Sequence, residues 1–358
     1  MAALIIWMAS LYNRRLKTFL EDAGRWFLRS GIRSPEGGVA RYYRSDLQKN
    51  VPVSTEITGY AVSALSYLHS ITGDAAYRDA AMESARFLAN EAWDAAAHTF
   101  PFEIHSNLAY FFDVGIIARG LLSTGAEEFR PRVRDAAMSL AFDFIGDGAF
   151  HPIVTLPDKQ PLPYEPQWSR SPGCYQLKSA LAWLGVGDEH AARMFDAALA
   201  SALTTHESFL PGDADPNRVM DRLHPYCYFL EALLYVAEDC KDVLASGIDR
   251  VALLLRENSP RFERSDVCAQ LLRVRLAAHH LNAVPLDATA AAEEAARVAR
   301  YQARSEDVRL DGGFWFGQKG GEMLPYMNPV STAFSLQALA LWEQHREGTW
   351  RFELAQLI

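Results

Sequence analysis

The chain has 358 residues, 49% of them hydrophobic and 22% charged, an ordinary globular composition with enough apolar mass to fold without disulfides or metal. Its 35 basic and 44 acidic side chains give a net charge of -9 with no block of like charge. That argues against a general nucleic-acid binder and requires any anionic ligand to be met by local positive groups.

The opening stretch "MAALIIWMASLY" is apolar but has no basic segment before it and no small-residue cleavage site after it. It runs into "NRRLKTFLEDAGRWFL", which keeps a helical period, so a buried first helix is expected rather than a signal peptide. No other segment approaches the ~18–20 apolar residues of a membrane span, and the expected location is the cytoplasm. Cys174, Cys227, Cys240 and Cys268 are widely spaced, show no CxxC pair and read as buried free thiols.

Apolar residues then recur at helical spacing almost throughout, which predicts an all-α fold. Helices rich in Ala, Arg and Glu with one apolar stripe are expected near 12–30, 75–91, 129–145, 188–204, 241–257 and 287–304, the pattern of an outer layer. Each is followed by a helix apolar nearly all round: "ITGYAVSALSYLHSI", "YFFDVGIIARGLLS", "GCYQLKSALAWLG", "PYCYFLEALLYVA", "SDVCAQLLRVRLAA" and "NPVSTAFSLQALALW". Such helices belong inside. Leu65, Leu121, Leu181 and Leu233, each after a small residue, are 56, 60 and 52 residues apart, a loose repeat of helix pairs.

Six such pairs close a ring, read as one (α/α)6 toroid domain over 1–358. Connections from inner to outer helix are short, while those from outer to inner are expected to be long at 31–53, 93–109, 146–172, 206–223 and 305–327, with 258–263 the exception. Long loops gathered at one end of a barrel mark that end as the site.

The six-hairpin plan, "STEITGYAVSALSYLHSITGD", "YFFDVGIIARGLL" and the closing "NPVSTAFSLQALALW" resemble the (α/α)6 toroids of carbohydrate-active proteins, nearest to the helical domain of glucuronyl 5-epimerases and related proteins of bacterial polysaccharide clusters. The resemblance covers nearly the full chain and implies a toroid whose ligand is a saccharide. The same toroid serves N-acylglucosamine 2-epimerases, polysaccharide lyases, unsaturated-glucuronyl hydrolases and, in a different pocket, terpene cyclases, so function must come from the site.

At the loop-bearing end all six inner helices would present their N-termini, a setting for an anionic group that Arg170, Arg218, Arg222 and Arg264 would strengthen. "TFPFEIHSNLAYFFDVG" holds Glu103, His105, Asn107, Tyr110 and Asp113. Chemistry at a uronic acid needs a donor to neutralise the sugar carboxylate, for which Asn107 or an arginine is suited, and a base for the neighbouring C–H, for which His105 or Tyr110 is suited. Against that, Asp113 is also an ordinary helix-start residue and His105 an ordinary loop residue.

Glu56 and Tyr60, four residues apart at the start of the first inner helix, form a candidate acid/base or sugar-binding pair, though Glu56 equally fits a plain first-turn acid. "LPYEPQWSRSPGCY" brings Tyr164, Glu165, Trp168, Arg170 and Tyr175, an aromatic beside Arg and Glu as a pyranose platform requires. "PGDADPNRVMDRLHPYCY" brings Asp221, Arg222, His224 and Tyr226, while its Asp213 and Asp215 read as turn-forming acids and not as metal ligands. In "DGGFWFGQKGGEMLPYMNP" part of the aromatic cluster is expected to staple one hairpin to the next, leaving Trp315, Tyr326 and Asn328 to face the bore.

The reading that follows is an enzyme on a uronate-containing saccharide, epimerase-like or lyase-like, working by proton abstraction without a cofactor and without a metal. The alternatives are a glycoside hydrolase using two of Glu56, Glu103, Asp113, Glu165 and Asp221, or a glycan-binding scaffold protein.

Overall fold

The computed structural model describes residues 19–147, 149–210, 215–259 and 261–358. The apolar opening, the first part of the expected 12–30 helix and Asp213 lie outside the described residues. Twelve α-helices are found among the described residues: α1 (19–29), α2 (Thr55–Thr72), α3 (Ala75–Arg86), α4 (Phe111–Ser123), α5 (Arg130–Phe142), α6 (Gln176–Val186), α7 (Glu189–Phe209), α8 (Pro216–Leu233), α9 (Lys241–Asn258), α10 (Ser265–His280), α11 (Ala288–Ala299) and α12 (Pro329–Glu347).

The even-numbered helices form the inner ring. Each packs on the next, and α12 returns to α2, which closes the (α/α)6 toroid that the apolar periodicity predicts. Each outer helix lies against its inner neighbour along a narrow stripe, such as Ala291, Ala295 and Val298 on α11, whereas every residue of α12 from Pro329 to Trp342 is buried.

Local signals set the boundaries. Ser54 caps α2 by accepting from the Ile57 amide, and the helix stops at Gly73 in the left-handed conformation (φ 72°). Asn328 caps α12 through Val330 and Ser331, and Gly348 ends it (φ 66°). Where α2, α4 and α6 cross, glycine sets the spacing: a Cβ on Gly120 would meet the Gly59 carbonyl at 2.5 Å, and one on Gly115 the Ser179 backbone at 2.6 Å.

One expectation is corrected. The span 206–223 is not a long loop: α7 runs to Phe209 and α8 begins at Pro216, capped by Asp215. Pro225 reads in sequence as a helix start, but it sits inside α8; the true start is the Asp-Pro step, where proline's missing N–H costs nothing. Arg218, Asp221, Arg222, His224 and Tyr226 therefore lie on a helix.

The remaining outer-to-inner loops meet at one rim and pair as short antiparallel strands: β1 (Tyr43–Arg44) with β2 (Lys49–Asn50) and β8 (Tyr326–Met327), β3 (Leu108–Tyr110) with β4 (Ile153–Thr155), and β5 (Phe262–Arg264) with β6 (Gly317–Lys319), which pairs with β7 (Glu322–Met323). Strand β8 ties the last loop to the first. The glycine-aromatic stretch serves this closure, because Phe314 is fully buried, Gly312 (φ 87°) presses on the Asp22 carbonyl, and Trp26 of α1 donates to Arg309 O at 2.8 Å.

No helix among the described residues is long and apolar enough to cross a membrane. All four cysteines are buried and free.

Candidate active site

The N-termini of the inner helices open on this rim, and acids stand in the first turns of three of them: Glu56 on α2, Asp113 on α4 and Asp266 on α10. Glu56 and Asp113 share a cleft of about 240 Å³ lined also by Phe102, Tyr110, Phe112, Pro152, Gln167, Trp168, Ser169, Arg170 and Tyr175.

Burial lifts the Glu56 carboxyl to about 7, partly offset by Arg41. Asp113 is only 4% exposed and its Oδ2 has no hydrogen-bond partner. Burial, then the Glu56 charge, push its carboxyl well above the usual range, against Arg41. Both carboxyls are thus held above the ordinary carboxylate range by burial, and Asp113 is the more deeply buried of the two.

Two arginines flank the cleft, each tethered by a glutamate on the rim. Arg41 bonds Glu103 at 2.8 Å and lies 4.8 Å over the Phe102 ring, while Arg170 pairs with Glu165. Tyr110 is half-buried, and desolvation raises its hydroxyl despite the nearby arginines. Trp168 offers a partly exposed face, its edge 5.1 Å from Tyr175.

Below the cleft the bore is filled by rings. Tyr60 stacks on Tyr228 at 6.4 Å and meets Phe334 edge-on at 5.3 Å, and Phe112 touches Tyr228 at 4.7 Å. The Tyr60 hydroxyl is buried beside that of Tyr228 and does not line the cleft. Burial and the proximity of Tyr228 and Glu56 hold that hydroxyl protonated.

Across the bore a second polar group is satisfied internally. Asp266 grips Arg264 with bonds of 2.7 and 3.0 Å, and Asp221 approaches that arginine to 3.7 Å. His224 is buried, with Nδ1 2.8 Å from Gln270 Oε1 and Nε2 2.8 Å from the Tyr228 hydroxyl.

Of the residues singled out in the sequence, the cleft therefore brings together Glu56, Tyr110, Asp113, Trp168, Arg170 and Tyr175. His105 and Asn107 are exposed on the rim, His105 with a left-handed backbone (φ 67°). Tyr164 is 52% exposed and bonds His151 at 2.8 Å, and Arg218 is exposed. Arg222 is tied to the carbonyls of Phe209 and Pro166.

Tyr226 turns to the outer layer, 3.4 Å from His206. Trp315 packs partly against the core, Tyr326 stacks edge-on with Tyr42 at 5.2 Å, and Asn328 is a helix cap. Sequence reasoning missed Arg41, Phe102, Gln167, Asp266 and Tyr228. Aligning the first turns of the inner helices would have found Asp266, since Glu56 and Asp113 occupy the same turn; nothing in the sequence singles out Arg41. Among the described residues no group of three or more His, Cys, Asp or Glu is arranged to hold a metal ion.

No family model and no curated sequence matches the chain. Among solved structures it is similar to cellobiose 2-epimerase from Spirochaeta thermophila (13% identity, 92% of this chain and 97% of that one, TM-score 0.69). It is also similar to the unsaturated glucuronyl hydrolase of Bacillus sp. GL1 (14%, 92% and 97%, 0.66) and to a D-mannose isomerase (9%, 93% and 98%, 0.67). At these identities the likeness establishes the (α/α)6 toroid fold.

Proposed function

We propose that the chain, as one toroid domain, is a carbohydrate-active enzyme that hydrolyses an acidic saccharide in the rim cleft, with Asp113 as general acid and Glu56 as general base. The observation that carries this reading is that Glu56 and Asp113, first-turn acids of neighbouring inner helices, line one cleft, where burial raises both carboxyls and so favours a proton-bearing acid beside a base. Asp113 donates that proton to the departing glycosidic oxygen, Glu56 takes one from the attacking water, and the C–O bond to the leaving sugar breaks as the bond to water forms. Arg170 and Arg41 supply charge for a sugar carboxylate, and Trp168 a face for the ring. Structural neighbours that act on sugars, among them an unsaturated glucuronyl hydrolase, support a saccharide as the ligand.

A second reading, proton abstraction beside a uronate carboxylate as in an epimerase or lyase, is favoured by Tyr110 lying next to Arg170. Burial raises the Tyr110 hydroxyl above its ordinary value, the wrong direction for a base, and hydrolysis therefore ranks first. The test is incubation with uronate-containing oligosaccharides in deuterated water. New reducing ends without deuterium on carbon support hydrolysis. Deuterium at C-5 moves the assignment to the epimerase, and absorbance near the ultraviolet band of unsaturated uronates moves it to the lyase. Silence across the panel leaves a glycan-binding protein.

A further inference from the structure

The opposite end of the toroid holds a larger cavity, about 450 Å³, between the C-terminal halves of α2, α4 and α6 and the segment 355–357. That volume falls within the ~300–1,000 Å³ of small-molecule sites. Its walls are of two kinds. Leu122, Leu181 and Leu184 make one side apolar, and Ser63, Ser66, Ser70 and Ser123 line another. Ser63, Ser70 and Ser123 donate to backbone carbonyls within their own helices; Ser70 also accepts from Gln356 Nε2 at 3.2 Å and Ser123 faces Ser66 at 3.3 Å, which leaves Ser63 as the serine oxygen with no other partner and free to accept from a ligand that bears hydroxyls.

Arg119 supplies the charge. It donates to Leu357 O at 2.6 Å and its guanidinium lies 5.9 Å from the Tyr235 ring centroid, but no carboxylate among the described residues stands within ion-pair distance of it. The two basic groups nearest the axis are engaged elsewhere, because Lys178 and Arg273 both bond Glu231 and both reach Ile358 O, and burial holds the Lys178 amine well below its ordinary value. Arg119 is thus a half-buried cation facing a cavity with a hydroxyl acceptor and an apolar wall.

The geometry points to a second ligand site at this end, for a monosaccharide-sized molecule carrying one anionic group, a sugar carboxylate or a sugar phosphate. The anion meets Arg119, a ring hydroxyl meets Ser63, and the ring's apolar face lies on the leucines. The ring-filled bore separates it from the Glu56 and Asp113 cleft, so it stands whether or not hydrolysis is the function of that cleft.

The test is calorimetric titration of the full chain with D-glucuronate, D-glucose 6-phosphate, D-glucose and inorganic phosphate. The expected result is binding of one of the two sugar anions at least tenfold tighter than of D-glucose or phosphate. Which anion wins separates the carboxylate from the phosphate source. That binding should persist in Asp113→Asn and weaken at least tenfold in Arg119→Gln. Because Arg119 also holds Leu357, Ser63→Leu gives an independent block: Ser63 makes only a 3.4 Å bond to its own helix, and leucine there fills the cavity. Equal binding of inorganic phosphate, binding lost in Asp113→Asn but kept in both cavity variants, or no binding at all would overturn the assignment.

Discussion

The Tyr228 hydroxyl donates to Nε2 of His224 across 2.8 Å, because Nδ1 faces the Gln270 oxygen at the same distance and must carry the ring proton. A second proton on Nε2 would have to reverse the Tyr228 hydrogen bond, and burial pushes His224 down to about 4 from its ordinary 6.5 despite the pull of Asp266, 3.5 Å from Nδ1. Its folded value is depressed, so its stabilisation is complete above 6.5 and is lost as pH falls toward 4, on the order of 3 kcal/mol.

Glu56 runs the other way. Its folded value is raised from 4.5 to about 7, so its contribution is full below 4.5 and is lost as pH rises through 7, and Asp113 adds to that trend. Urea unfolding from pH 4 to 8 should show these slopes opposed in the native protein. His224→Gln should leave stability falling as pH rises, and the Glu56→Gln, Asp113→Asn double variant should leave it climbing between 4 and 6.5. Curves parallel to the native one would assign the titration to other groups.

Asp113→Asn separates chemistry from scaffold. Oδ2 has no partner to lose and the amide carries no charge to desolvate, so the variant should match or exceed native stability at pH 8 while hydrolysis drops at least ~100-fold. A melting temperature that falls in step with activity would mark Asp113 as structural.

The crossing of α2 on α4 predicts a sharp glycine effect. Gly120→Ala drives a methyl to 2.5 Å from the Gly59 carbonyl, where only backbone movement relieves it, and should cost about 1–3 kcal/mol in denaturant titration. Gly187→Ala is the contrast. Nothing lies within 4 Å of the added methyl there, so any loss would report only its left-handed backbone (φ 77°).

Glu231 is fully buried between Lys178 and Arg273. Removing its charge in Glu231→Gln leaves buried Arg273 without its carboxylate and should cost about 3–5 kcal/mol. Adding Lys178→Met should recover part of that loss, which a double-mutant cycle by urea unfolding would measure. Additive losses would show that the Lys178 contact contributes little.

The toroid was legible because the apolar period marks the helices, and Ser54, Asp287 and Asn328 cap them close to where that period begins. The α8 start was obscured because two prolines compete, and the apolar run after Pro225 is the stronger pattern, although Asp215 and Pro216 set the actual boundary. In the site, Glu56 and Asp113 could be picked out as first-turn acids, but their pairing could not, since it depends on two helices 56 residues apart in the repeat meeting at one rim. Arg41 was invisible because its role comes from a loop folding back over Phe102, which no local pattern encodes.

The rings of Tyr60, Phe112, Tyr228 and Phe334 give the barrel a floor, so the cleft has a single doorway. A molecule made there cannot leave by the far end while the next one arrives. Under the proposed hydrolysis, both fragments of a cut saccharide must back out through the opening that admits the next one, and the fragment held by the arginines will obstruct it. Turnover should then slow as product accumulates, in a way that added starting material relieves.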